Sequence, residues 1–132
     1  ANNLYHDWAI TENLGRVVRE QADALGRRIA IVGIGGLSGS FFRHVINIGE
    51  DHIANIAEDE WNKRILGLME VGNIDALVKD CPTYAAKART EMGFKHFAYI
   101  LGGIGGKFTG ATVHHYGPLY GSGGAVVEFH LQ

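Results

Sequence analysis

The side chains best able to do chemistry are seven histidines and one cysteine. A metal site needs several of them, or acids, converging on one point. His114 and His115 are adjacent in a strand-like stretch, so they should point to opposite faces and cannot easily share an ion. Glu128 and His130 are two apart and share a face, but two ligands make a thin site. Glu91 and His96 are five apart, which is not a helical-neighbour spacing. Surface or satisfied histidines are the plainer reading of these and of His6, His44 and His52, and no metal site is expected from this chain alone. Cys81 sits before Pro82 with no evident histidine partner, so a nucleophile is not expected there.

Glycine is the other notable residue type. There are 19 in 132 residues, about twice the usual ~7% share. They gather at 33–39, 102–110 and 117–124, where backbone must turn left-handed or pass close to a neighbour. Gly33-Ile34-Gly35-Gly36-Leu37-Ser38-Gly39 follows an apolar run and invites comparison with a phosphate cradle. The third glycine of Gly-x-Gly-x-x-Gly would fall on Ser38, and no Gly-Lys-Ser/Thr follows. A turn at a strand end remains, and in open α/β sheets sites gather there.

These residues need elements to position them. Thr11-Glu12-Asn13-Leu14 opens a helix, with Leu14, Val17, Val18, Ala22 and Leu25 as its apolar stripe and Gly26 as its stop. Arg28–Ile34 reads as a strand buried on both faces. Phe41–Ile46 could form a short helix. Acids at 58–60 open a helix that Gly72 ends. Asn73 can cap another through Val78, and Pro82 suits the first turn of a third reaching about Met92. Phe94–Leu101 is apolar enough for a buried helix. Lys107–Tyr116 and Ala125–Leu131 read as closing strands. The expected fold is a layered α/β/α domain with a mixed sheet, one domain over 1–132. A central strand at 28–34 lacks enough neighbours in this sequence, so further strands are expected from sequence outside it. The opening without methionine points the same way.

The formal charge of −2 leaves no footprint for nucleic acid or an anionic membrane. No apolar run reaches the ~20 residues of a membrane span, and no signal peptide is seen. A single cysteine excludes an internal disulfide framework and fits a reducing, cytoplasmic setting.

The stretch Arg27-Arg28-Ile29-Ala30-Ile31-Val32-Gly33-Ile34-Gly35-Gly36-Leu37-Ser38 resembles the class III extradiol ring-cleavage dioxygenases. Asn3-Leu4-Tyr5 and Leu14-Gly15-Arg16 match the approach to that loop, and Glu60-Trp61-Asn62 to Gly72-Asn73 resembles the family's helix and break. Tyr116-Gly117-Pro118-Leu119-Tyr120-Gly121-Ser122-Gly123-Gly124-Ala125-Val126-Val127-Glu128-Phe129 is similar to the aminophenol branch. The resemblance covers nearly the whole chain and is to the second half of a subunit.

The resemblance implies a non-haem Fe(II) held by two histidines and a carboxylate, with open positions for substrate and O₂. It also implies a histidine acid–base after the Gly-Gly-Leu-Ser loop. The histidine ligands would lie in the half this chain lacks. The base position falls on Gly39, which has no proton to move. The carboxylate position falls on Lys95, with Glu91 as the alternative. Ser38, Tyr116 and Tyr120 are the candidate substrate-binding residues, and His44 could stand in for the base. The resemblance thus implies a non-catalytic subunit of a dioxygenase for 2-aminophenol-like or catecholic compounds. That subunit would be paired in a hetero-oligomer with a related catalytic chain that carries the Fe(II). Two alternatives stand beside it. One is an active enzyme using Glu91, with histidines from missing sequence. The other is a small-molecule-binding or assembly domain with no ring-cleavage role.

Overall fold

The computed structural model describes residues 6–131. The Asn3-Leu4-Tyr5 motif and the opening Ala1 lie outside the described residues. The architecture is α/β, with four α-helices and one hairpin among the described residues. Helix α1 spans Trp8–Ala24, α2 Ile56–Glu70, α3 Ile74–Lys87 and α4 Lys95–Gly103. Strands β1 (Gly110–Leu119) and β2 (Ser122–His130) pair antiparallel.

Local chemistry sets most boundaries. The Asp7 carboxylate accepts from the Ile10 amide at 2.8 Å and starts α1. Asn55 accepts from the Ala57 amide at 3.0 Å and starts α2. Asn73 accepts from the Ala76 amide at 3.1 Å and starts α3. Each satisfies an orphan donor of the first turn. Gly72, at φ +66°, takes the left-handed turn that ends α2. Pro82 lies inside α3 rather than at the first turn of a separate helix. Asn73 already starts this helix, so the two expected helices are one.

The core lies between α2, α3, α4 and the inner face of the hairpin. Ile65, Leu66 and Met69 of α2 meet Leu77 and Tyr84 of α3 and Phe97 and Leu101 of α4. Phe94 packs edge-on against Tyr84, with ring centroids 5.1 Å apart, and stacks on Phe97 at 5.3 Å. Phe97 reaches Phe129 of β2 at 5.8 Å. Each such buried side chain contributes about 1.5–3 kcal/mol.

Three expectations are corrected. The layered mixed sheet is absent among the described residues, and the sheet is a two-stranded hairpin. Arg28–Ile34 forms no ladder, and its apolar residues are not buried on both faces: Val32 is 75% and Ile34 85% exposed. A strand needs a neighbour to hydrogen-bond, and the hairpin does not supply one. Phe41–Ile46 is irregular, with a 3₁₀ turn at Ile48–Glu50 instead of a helix.

The stripe read for α1 holds only in part. Ala22 is buried as expected, but Leu14, Val17 and Leu25 are exposed, and Thr11 and Gly15 are buried instead. The cause is a close crossing of α1 on α4. A Cβ at Gly15 would come within 2.2 Å of the Tyr99 carbonyl oxygen, and one at Gly102 within 1.9 Å of the Glu12 carbonyl oxygen. Backbone meets backbone, so glycine sets the contact face and leucine is left outside.

Candidate functional site

The glycine loop runs from the unpaired segment 28–34 into the core. The Leu37 amide donates to the Gly123 carbonyl at 3.0 Å, and the Gly39 amide to the Ala88 carbonyl at 2.8 Å. The loop therefore bridges the start of β2 and the end of α3. At Gly39, the expected base position, a Cβ would come within 2.0 Å of the Arg89 carbonyl oxygen. The position has neither a side chain nor room for one in this arrangement.

A buried carboxylate fastens this corner. Glu58 of α2 is 1% exposed. It accepts from the Ser40 amide at 3.0 Å, the Ser40 hydroxyl at 2.7 Å and the Arg89 Nε at 2.9 Å. Arg89 also donates to the Ser40 hydroxyl oxygen. A buried charge is tolerable because both its oxygens are hydrogen-bonded and a cation faces it. Sequence reading overlooked Glu58 because acids in a first helical turn are ordinary.

Ser38 is buried, and its hydroxyl oxygen accepts from Asn62 Nδ2 and from the Gly123 amide, both at 2.9 Å. Asn62 is fully buried and fully used. Its Oδ1 accepts from the Tyr84 hydroxyl at 2.8 Å, and its Nδ2 also donates to the Tyr116 hydroxyl oxygen at 3.2 Å. Tyr116 in turn donates to Asp59. Burial and the Asp59 carboxylate hold the Tyr116 phenol well above its ordinary range. Burial raises Tyr84 likewise. Asp59 is pushed upward by burial, but its hydrogen bonds from Lys63 and Tyr116 outweigh that and leave its carboxyl below the usual value. Ser38 and Tyr116 are thus brought together, with the buried Asn62 between them, in a satisfied polar cluster that runs from the core to its half-buried edge at Tyr116 and Asp59.

Tyr120 belongs elsewhere. It sits at the hairpin turn with φ +55°. Its amide donates to Asp51 at 2.7 Å and its hydroxyl to the His44 carbonyl at 2.6 Å. It ties the irregular stretch 41–52 to the hairpin and shares no cluster with Tyr116. His44 is exposed, and its ring lies 5.7 Å from that of Phe42.

The two carboxylate-position candidates also separate. Lys95 opens α4, and its ammonium donates to the His6 carbonyl at 2.7 Å. Glu91 lies in the 3₁₀ turn Glu91–Phe94 before α4 and accepts from the Gly36 amide at 3.0 Å. His96 joins it at this loop. Its Nδ1 is buried without a partner, and a Cβ at Gly35 would lie 2.4 Å from it. Burial lowers the His96 pKa, and the Glu91 charge only partly opposes this. Spacing along the chain concealed this pair, because left-handed turns at Met92, Gly93 and Phe94 fold one residue back on the other.

The remaining candidates have ordinary roles. Cys81 is buried, and burial together with Asp80 pushes its thiol up to about 12, which removes thiolate chemistry at neutral pH. His114 pairs with Glu128 at 2.9 Å, and His130 meets the Thr112 hydroxyl at 2.8 Å. The register shifts between Val113 and His115, so the simple alternation expected for His114 and His115 fails, and both are exposed. No three His, Cys, Asp or Glu side chains converge as a metal site among the described residues. No described helix is long and apolar enough to cross a membrane.

No family model matches the chain. Curated proteins do match it, among them two from a Pseudomonas species. The alpha subunit of 2-aminophenol 1,6-dioxygenase is 53% identical over 131 residues, covering 99% of this chain and 48% of that subunit. The beta subunit is 25% identical over 122 residues, covering 89% of this chain and 40% of that subunit. The chain spans about half the length of the curated relatives it matches. These matches across nearly the whole chain bear out the resemblance carried by the glycine loop and the closing hairpin, which is to the extradiol ring-cleavage dioxygenases.

Proposed function

We propose that this chain is part of a non-catalytic subunit of an extradiol dioxygenase that opens 2-aminophenol-like or catecholic rings. It would act in the cytoplasm, in a hetero-oligomer with a related catalytic chain, and it would be the second half of a larger family fold. The observation that carries the reading is Gly39 against the Arg89 carbonyl, 2.0 Å from any added Cβ. Where the resemblance expects an acid–base histidine, the backbone is packed too closely for a side chain. Lys95 adds to this, because an ammonium cannot serve as a carboxylate ligand to Fe(II).

Two observations support a chain without its own iron: the Lys95 position carries a cation, and no three His, Cys, Asp or Glu side chains converge among the described residues. Fe(II) would therefore be held by the catalytic chain. This chain would contribute contact surface through its exposed apolar residues, among them Ile10 and Leu14 of α1.

A second reading has one observation in its favour. Glu91 and His96 meet at the glycine loop, so an acid and an imidazole do stand near the strand end. An active enzyme could use Glu91 if histidine ligands came from sequence outside this chain. The test is to co-purify the protein with its natural neighbours and measure iron per chain and O₂ uptake with 2-aminophenol. Iron on the partner alone is expected. Full iron occupancy on this chain would sink the non-catalytic reading. Failure to co-purify with any dioxygenase chain would favour a binding or assembly domain unrelated to ring cleavage.

A further inference from the structure

The stretch 41–54 has little regular structure, yet its backbone is fixed to the hairpin tip. The Phe42 amide donates to the Tyr120 carbonyl at 3.1 Å, and the Ala54 amide to the Gly121 carbonyl at 2.8 Å. Asp51 accepts from the Tyr120 amide at 2.7 Å and the Gly121 amide at 3.0 Å. The Tyr120 hydroxyl donates to the His44 carbonyl at 2.6 Å. The Phe42 ring lies 4.9 Å from that of His52 and 6.1 Å from that of Tyr120. A Cβ at Gly121 would come within 3.0 Å of the Phe42 amide nitrogen, so the two segments are in close contact.

What this frame holds outward is apolar. Phe41 is 59%, Val45 93% and Ile48 94% exposed. The Arg43 guanidinium lies over the Phe41 ring at 5.9 Å, and Phe41, Val45 and Tyr120 line one shallow depression. Contiguous exposed apolar surface marks contact sites, and aromatic residues and arginine are their usual anchors. A loop already ordered by its own hydrogen bonds loses little conformational freedom on binding.

Two observations point to the occupant. The alpha and beta subunits of one enzyme both match this chain, the beta subunit over 89% of it. A span of that length includes residues 41–54, so a beta-like partner shares this region, and chains of one fold pair readily about a twofold or pseudo-twofold axis. The loop also sits at the hairpin tip, the nine residues of β2 away from the open segment 28–32 beside Phe129 and Leu131. That is about 30 Å, so strands added at 28–34 would not reach it.

We propose that the loop 41–48 docks on an apolar face of the related catalytic chain, with Val45 and Ile48 as its buried anchors. The inference rests on the proposed pairing with such a chain and adds the surface that makes it.

The test co-expresses the intact subunit that carries this chain with its natural dioxygenase neighbour. The photo-crosslinking residue benzoylphenylalanine replaces Val45 or, separately, Ile48. Irradiation should join the two different chains. Crosslinks confined to the subunit itself, or joining two copies of it, overturn the proposal, as does an assembled complex that gives none from either position. Val45→Glu and Ile48→Glu should each weaken the association at least about tenfold. Circular dichroism and melting should not change, because both side chains already stand in water. Val71→Glu is the control. Val71 is also exposed but lies at the other end of α2, about 20 Å away, and its change should leave association intact. An equal loss with Val71→Glu would show a general effect of charge and overturn the proposal. If the unaltered chains fail to associate, the proposed pairing falls and this inference with it. If they associate and the loop variants make no difference, this inference alone falls.

Discussion

Gly39 lies against the backbone of Arg89, 2.0 Å from where a Cβ would meet its carbonyl oxygen. The Gly39 amide is bonded to the neighbouring Ala88 carbonyl at 2.8 Å. Arg89 is itself held at φ +50°, with its guanidinium on the buried Glu58. The missing side chain at 39 is therefore part of how the loop packs against α3. Replacing it requires Arg89 to move, and Arg89 is tethered on both sides.

Gly39→Ala should cost about 1–3 kcal/mol, the usual range for forcing a methyl into packed surroundings. Urea unfolding monitored by circular dichroism would measure it. Gly39→His should be at least as costly and should confer neither iron binding nor O₂ uptake. A histidine variant as stable as the original protein would show that the loop has room after all.

Asn62 supports the polar cluster with three hydrogen bonds and no exposure. Asn62→Ala strands the buried Tyr84 hydroxyl, while Ser38 keeps the Gly123 amide and Tyr116 keeps Asp59. The stranded hydroxyl costs about 1–3 kcal/mol, and the space left by the amide adds to it, so about 3 kcal/mol is expected. Tyr84→Phe removes one bond and should cost about 1 kcal/mol. The two denaturation midpoints, measured together, separate a network from a single contact; equal losses would contradict the network.

The helical cap at Asn73 was legible because capping is local chemistry written within four residues, whereas α1 and α2 start at the caps Asp7 and Asn55, ahead of the expected starts at Thr11 and Glu58. The two closing strands were legible, but their ends were not: Gly117 and Pro118 pair within the hairpin, and the turn is the tight Tyr120-Gly121 rather than a loop over 117–124. The buried face of α1 was not legible, because Gly15 and Gly102 set it through a backbone contact between distant helices. Arg28–Ile34 was read as a strand buried on both faces, but a ladder needs a neighbour, and the hairpin supplies none. At the candidate site, Gly39 was readable as an absence through resemblance. The reason it cannot be filled lies fifty residues away at Arg89. Ser38 and Tyr116 were singled out as candidate substrate-binding residues, and Asn62 joins the two in one hydrogen-bonded cluster. Tyr120 was singled out with them, but Asp51 and His44 hold it apart.

Burial lowers the His96 pKa below the ordinary histidine value of 6.5. The unfolded chain then binds more protons than the folded one as pH falls below about 6.5. The contribution of His96 is complete above that pH and diminishes as pH falls toward the lowered folded value. His96→Phe should therefore flatten the decline of stability below pH 6.5. The His96 ring resonances followed by NMR should titrate below the ordinary histidine value. A His96 midpoint at or above that value would rule out dominance of burial over the Glu91 charge.

Glycines inside helices offer the sharpest contrast between propensity and packing. Alanine gains up to ~1 kcal/mol over glycine in a helix interior. At Gly67 of α2 nothing lies within 4 Å of an added Cβ, so Gly67→Ala should stabilise by about 0.5–1 kcal/mol. At Gly15 the same methyl would sit 2.2 Å from the Tyr99 carbonyl oxygen. Neither backbone can retreat without separating α1 from α4, so the overpacking cost of about 1–3 kcal/mol or more exceeds the propensity gain. Gly15→Ala should lower the melting temperature, and Gly67→Ala should raise it. A rise in both would mean that α1 does not press on α4 as closely as these contacts require.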